Sequence, residues 1–211
     1  MIHIVSKVCV VQVAKCGTLE RMFRTPVQDA RVLKTYRQLT DALVALTLEK
    51  GFDALTVREL TERAGVGYAT FFRHFSSKEA LLEWVFETTL NELLAQLELT
   101  SAPFDPLQTG TRVFRHARDH ADRYRALLRT GETTRLFERC LQESLESLLE
   151  TFTAKQSVVP FEVAAHHLVY SFIGLVTWYL DADLPYSPER MGEILEQLIL
   201  EPTYRVAFEP K

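Results

Sequence analysis

Between Ala64 and Leu81 the chain reads AGVGYATFFRHFSSKEAL, with Arg73 and His74 set among Phe71, Phe72 and Phe75. Arginine at such a place can reach a guanine edge or a phosphate, and Lys78 can offer its ammonium to a phosphate. Elsewhere, His116 and His120 stand four apart, a spacing that binds a metal from one helix face. The pair His166-His167 lies further on and is a candidate to converge with them. The surrounding segment RHARDHADRYR is mostly charged, which favours a solvated face over a metal site, so no metal is expected. No nucleophile elbow, P-loop, GxGxxG or HExxH run occurs, so no catalytic residue is assigned, no cofactor is expected, and the chain reads as a binding protein rather than an enzyme.

The elements that would position these residues are helical from Thr35 on. Thr35 to Gln38 reads as a capping box, and Leu39, Ala42, Leu43 and Leu46 mark one apolar face that closes at Lys50-Gly51. Thr56 to Glu59 is a second box opening a short helix to Ala64. Gly65-Val66-Gly67 is a turn, and a third short helix covers Tyr68 to Phe75. Ser76 to Glu79 reads as another box before a long helix carrying Leu81, Leu82, Val85 and Leu90. Asp105-Pro106 restarts the chain after a break, and helices follow at about 107–120, 122–129, 132–155, 161–181 and 188–200. The fold class is all-α.

Two short helices joined by a tight glycine turn make a helix-turn-helix. Phe71 and Phe75 share one face and pack against the first helix. That leaves Ala69, Thr70, Phe72, Arg73 and His74 outward, with Tyr68 at the N-terminal tip. Gly67, Ala69 and Thr70 are small enough for the start of a helix that enters a major groove about 12 Å wide. The N-terminus at Thr56 and Val57 offers N–H groups to a phosphate.

The run TVRELTERAGVGYATFFRHFSSKEALL resembles the DNA-binding segment of the tetracycline-repressor (TetR) family. The matching positions are Thr56, Leu60, Ala64, Gly65, Val66, Thr70, Phe71, His74, Phe75, Ser77, Lys78, Glu79 and Leu81. The resemblance implies that His74 and Lys78 lie at the phosphate backbone and that Tyr68 and Thr70 lie near the groove. Three departures weaken single contacts. Gly67 replaces a capping serine, Ala69 a glycine, and Phe72 a tyrosine whose hydroxyl could bond a phosphate. A lost neutral hydrogen bond is worth about 1 kcal/mol. These changes leave an alternative open: a ligand-binding or interaction protein that keeps the helix-turn-helix fold with weak DNA specificity.

The resemblance also implies a helical C-terminal domain that dimerises and binds a small-molecule effector. The expected organisation is a disordered N-terminal extension at 1–31, a helix-turn-helix domain at 32–92, and an effector-binding and dimerisation domain at 93–211. The segment from His166 to Ile199 resembles one C-terminal subclass of the family. Independently, the helices near 132–155 and 161–181 carry wide apolar stripes. Ala164, Ala165, Ser171 and Gly174 are small enough for close approach, as a homodimeric four-helix bundle requires. Candidate effector-pocket residues are Trp84, Phe114, His120, Tyr124, Phe137, His167, Tyr170 and Trp178.

Bulk properties agree with a local DNA site on an otherwise acidic chain of 211 residues. Residues 31–79 hold eight basic and six acidic side chains, and residues 1–30 four and two. With a net charge of −4, the remainder carries −8. Binding follows the local field, not the total. Cys9, Cys16 and Cys140 are odd in number and scattered, as in a reduced cytoplasmic protein. No apolar run approaches the ~20 residues of a membrane span, and no membrane partner is expected. The expected partners are double-stranded operator DNA, an effector and a second copy.

Overall fold

Helical periodicity begins earlier than the Thr35 box suggests. In the computed structural model, which describes residues 30–98, 105–136 and 159–207, helix α1 runs Ala30–Lys50. Thr35 lies inside it, and its hydroxyl donates to the Arg31 carbonyl at 3.1 Å. A threonine within a helix turns its hydroxyl back on the preceding turn instead of capping. Residues 30 and 31, placed in the N-terminal extension by sequence, are therefore helix, and the rest of that extension lies outside the described residues.

The helix-turn-helix follows as α2, Val57–Ala64, and α3, Tyr68–His74. Helix α4 spans Lys78–Glu98. Its N-cap is Ser77, one residue later than the sequence box, with Ser77 Oγ accepting from the Ala80 N–H at 3.2 Å. Helices α5, Pro106–Asp119, and α6, Ala121–Leu128, come next. Asp105 caps α5 by accepting from the Leu107 and Gln108 N–H groups. Residues 131–136 are helical, and the remainder of the helix expected at 132–155 lies outside the described residues. Helix α7 is Phe161–Asp181 and α8 is Pro188–Leu195.

The last expected helix does not stop at residue 200. It passes through a π-helical turn, Glu196–Leu200, into α9, Glu201–Ala207. Pro202 explains the turn. It has no N–H and crowds the carbonyl four residues back, so the ladder slips and Glu201 donates to Glu196, five residues away. No strand occurs among the described residues, and the all-α expectation holds.

Two apolar cores hold these helices. The first joins Leu39, Leu43 and Leu46 of α1 to Leu60 of α2, Phe71 of α3 and Leu81, Leu82 and Val85 of α4. It also takes in Leu127 of α6 and Leu136. The helix-turn-helix part is thus not sealed off near residue 92. The second core gathers Phe114, Ala117, Val176, Tyr179, Leu180, Met191, Leu195 and Ile199.

Within the second core α5 and α8 meet backbone to backbone. A Cβ added to Gly192 would stand 2.8 Å from the Thr111 N and 2.9 Å from the Leu107 carbonyl oxygen, and one added to Gly110 would stand 3.0 Å from the Gly192 Cα. Neither backbone can yield without moving a helix. Gly192→Ala is therefore expected to destabilise the chain by about 1–3 kcal/mol, the usual range for overpacking, despite alanine's better helix propensity. A urea titration checks this, and a gain in stability would contradict the close approach.

Helix α7 needs one correction to the sequence reading. Over Glu162–Asp181 it is long and apolar enough by length and composition to cross a membrane. The core helix of a soluble protein passes the same test, and Ala164, Val176, Tyr179 and Leu180 are indeed buried. The opposite side is open: Val163, Tyr170 and Trp178 are 53%, 46% and 47% exposed.

Candidate nucleic-acid interface

The turn between α2 and α3 is made by two glycines with different tasks. Gly65 has φ +64°, a left-handed value that suits glycine, and its N–H closes α2 on the Thr61 and Glu62 carbonyls. Gly67 is the N-cap of α3 in extended conformation, with no side-chain cap. As the sequence reading anticipates, the cap that serine would supply is missing.

Helix α3 has only seven residues and is held by its back. Phe71 is wholly buried and Phe75 nearly so. Their rings lie 5.9 Å apart. Tyr68 and Phe72 are 56% and 46% exposed on the outer side, and their rings meet edge to face at 5.1 Å. Ala69 and Arg73 are exposed beside them, and Thr70 is half-buried. The outer side of α3 thus carries an aromatic pair, a small residue and one cation.

Helix α2 is started by a complete capping box. Glu59 N–H donates to Thr56 Oγ1 at 3.3 Å, and Thr56 N–H donates to Glu59 Oε2 at 3.0 Å. Thr56 Oγ1 also donates to Glu59 Oε2 at 2.7 Å. Lys50 pairs with the other Glu59 oxygen and ties the end of α1 to the start of α2. The Lys50 ammonium, then the Thr56 hydroxyl and N–H, hold the Glu59 carboxyl down at about 2. Of the four N–H groups that open a helix, two are used within the box, and those of Val57 and Arg58 remain for an anion.

Lys78, which the resemblance sets at the phosphate backbone, is held by main-chain carbonyls in this structure. Its Nζ donates to the carbonyls of Phe52, Asp53 and Leu55 at 2.9, 3.1 and 2.9 Å and lies 4.7 Å from the Phe52 ring centroid. All three of its donors are engaged. The ammonium therefore folds the loop between α1 and α2. His74 is half-buried with its ring edge-on to Tyr36 at 5.2 Å. That contact sets the first turns of α1, with exposed Lys34 and Arg37, beside the end of α3. Sequence reading missed this basic edge. Its signal was the basic spacing Arg31, Lys34, Arg37 on one helix.

The described candidate pocket residues fall in separate places, apart from His120 and Tyr124, which both lie against His116. Trp84 packs on Tyr36 at 4.8 Å and on Phe75 at 6.0 Å, within the first core, because the first turns of α4 belong to that core. Phe114 is fully buried against Tyr179 at 5.3 Å. Phe137 lies outside the described residues. His167, Tyr170 and Trp178 lie on the open side of α7. His120 lines a cleft of about 510 Å³ between α1 and the α5–α6 turn, together with Asp41, Val44, Leu48, Arg118 and Arg123. Tyr124 donates to, or accepts from, His116 Nδ1 at 3.0 Å. His116 itself is buried, not solvated as its charged neighbours suggested. Burial holds its pKa down at about 4, and burial raises that of Tyr124.

Two family models cover the chain. Residues 39–85 match "Bacterial regulatory proteins, tetR family", and residues 105–201 match "Transcriptional regulator C-terminal region" of the same family's nomenclature. The chain belongs to the TetR family of transcriptional regulators. It is 22% identical over 193 residues to the uncharacterized HTH-type transcriptional regulator YxbF of Bacillus subtilis, a match covering 85% of this chain and 48% of that protein. To the HTH-type transcriptional regulator TcmR of Streptomyces glaucescens it is 33% identical over 89 residues, 42% of this chain and 39% of that protein. The chain thus spans half or less of the length of these curated relatives. Among solved structures, a TetR transcriptional regulator from Streptococcus agalactiae superposes with TM-score 0.59 at 22% identity, covering 82% of this chain and 97% of that one. That likeness is one of fold. These relatives are named as transcriptional regulators.

Proposed function

We propose that this chain binds a pseudo-palindromic double-stranded DNA operator as a homodimer and acts as a ligand-responsive repressor. The observation that carries the reading is the two-sided character of α3. Phe71 and Phe75 fasten its back, while Tyr68, Ala69, Phe72 and Arg73 face outward. Arg73 is the cation best placed for a base edge or phosphate, with no ion pair among the described residues. The free N–H groups of Val57 and Arg58 suit one flanking phosphate. His74 and the Lys34–Arg37 edge of α1 suit another. Thr70 lies at the border of the groove face. A dimer would set two α3 helices about 34–36 Å apart, in successive major grooves.

The effector part of the reading rests on α4. Its first turns belong to the first core, and its later turns lie beside α5. A ligand that prefers one placement of α4 would alter the spacing of the two α3 helices, and DNA affinity would fall by the difference in binding energy.

Fluorescence anisotropy on the DNA beside its own gene, with a shuffled duplex and two salt concentrations, tests the proposal. Arg73→Ala is expected to weaken specific binding by about 1–3 kcal/mol, tenfold or more. Lys78→Met is expected to lower thermal stability and leave the salt slope unchanged, whereas loss of a phosphate contact would change it by about one. Equal binding to both duplexes by a pool-selected and a genomic sequence alike would overturn the reading.

A further inference from the structure

We infer that Glu92, His116 and His120 form a binding site for one divalent transition-metal ion of the zinc class. Each offers one ligand atom, and the three atoms lie within 4.8 Å of one another. They come from different places in the sequence: Glu92 from α4, His116 from the last turn of α5, and His120 from the junction of α5 and α6. His166 and His167 lie on the open side of α7 and are not part of the group.

The second observation is His116 itself. It is 1% exposed, and its Nε2 is buried without a hydrogen-bond partner. A polar atom so placed is costly unless something fills its lone pair. Its other nitrogen, Nδ1, is held by the Tyr124 hydroxyl at 3.0 Å. That is the outer contact by which metal-bound histidines are oriented. Nε2 is therefore the nitrogen left for an ion. Arg123 pairs with one oxygen of Glu92 at 2.6 Å, which leaves the second oxygen for the metal.

Two imidazole nitrogens and one carboxylate oxygen select zinc, nickel or copper over magnesium or calcium. Ligands about 2.0–2.2 Å from a tetrahedral zinc stand about 3.3 Å apart. The present separation closes by rotation of Glu92 and His120, which are exposed and half-buried, onto the fixed His116. Three protein ligands leave a fourth position for water or for a donor atom of a ligand. The ion would pin α4 to the end of α5. Only the consequence of that pin for operator affinity rests on the DNA-binding reading, and the binding assay below involves no DNA.

The test uses the full chain, free of affinity tags and dialysed against a chelator. Zinc chloride is titrated in by calorimetry, and cobalt(II) reports geometry through its visible absorption. One ion per chain is expected, with a rise in Tm. Glu92→Gln and His120→Ala should each weaken zinc binding at least tenfold and abolish the Tm rise. Both side chains reach the surface, so the metal-free Tm should stay near that of the wild type. A His166→Ala, His167→Ala double variant and a chain with its three cysteines changed to serine should bind as the wild type does. Absence of zinc binding by the wild-type chain overturns the inference. So does binding that survives Glu92→Gln and His120→Ala, or that is lost with the distant histidines or the cysteines.

Discussion

Phe71→Ala is expected to cost about 3–5 kcal/mol of stability, the range for emptying a buried aromatic site, and to abolish DNA binding. The ring is wholly buried among residues of α1, α2 and α4. A helix of seven residues does not stand alone in water, since even isolated helices of ~12 residues are marginal. Gly67 gives α3 no side-chain cap, so packing has to hold it. Phe72→Ala is the matched control. Its ring is 46% exposed, and its loss should change stability by no more than about 0.5 kcal/mol. Urea midpoints report the difference, and hydrogen exchange of the α3 amides shows whether the loss is local. Equal costs for the two variants would mean that α3 is not latched by its back.

What the sequence made legible follows from how local each signal is. The Thr56–Glu59 box closes within four residues, so both partners were visible together, and the structure forms both bonds. The turn at Gly65 and the burial of Phe71 and Phe75 followed from spacing alone. The Thr35 box has the same pattern but lies inside a helix, because nothing in four residues tells a cap from an interior turn. The carbonyl contacts of Lys78 were out of reach for a different reason. Its acceptors are backbone carbonyls 23 to 26 residues away, and carbonyls leave no mark in the side-chain sequence. His116 was hidden by charged neighbours. Yet Val113 and Ala117, three before it and one after, are both buried, and that period places His116 at the edge of the buried face. The pocket candidates scatter because aromatic residues mark cores and open faces as readily as ligand seats, and of them only His120 lines the cleft beside α1.

Gly174→Arg is expected to split the proposed homodimer while leaving each chain folded. Val163, His167, Tyr170, Gly174 and Trp178 fall three or four apart along α7, and all are exposed in the single chain. An apolar stripe of this kind on a helix whose other side is already buried calls for a partner. Gly174 is the smallest residue on it, and a Cβ there would meet nothing within 4 Å in the chain itself. Arginine would thus fit the monomer, and it favours the helix over glycine by up to ~1 kcal/mol. In a close helix–helix contact the same guanidinium would be buried without a partner. Stability of the monomer and stability of the dimer should therefore move in opposite directions, which unfolding cannot mimic. Light scattering should show a dimer for the wild type and a monomer for the variant, with Tm at low concentration held or raised. Since two linked α3 helices bind with a high effective concentration, apparent operator affinity should drop on the order of 10²–10⁴-fold. A monomeric wild type would end the dimer proposal. A variant that stays dimeric would place the contact on another face, and the operator would then have to match a different separation of the two recognition helices.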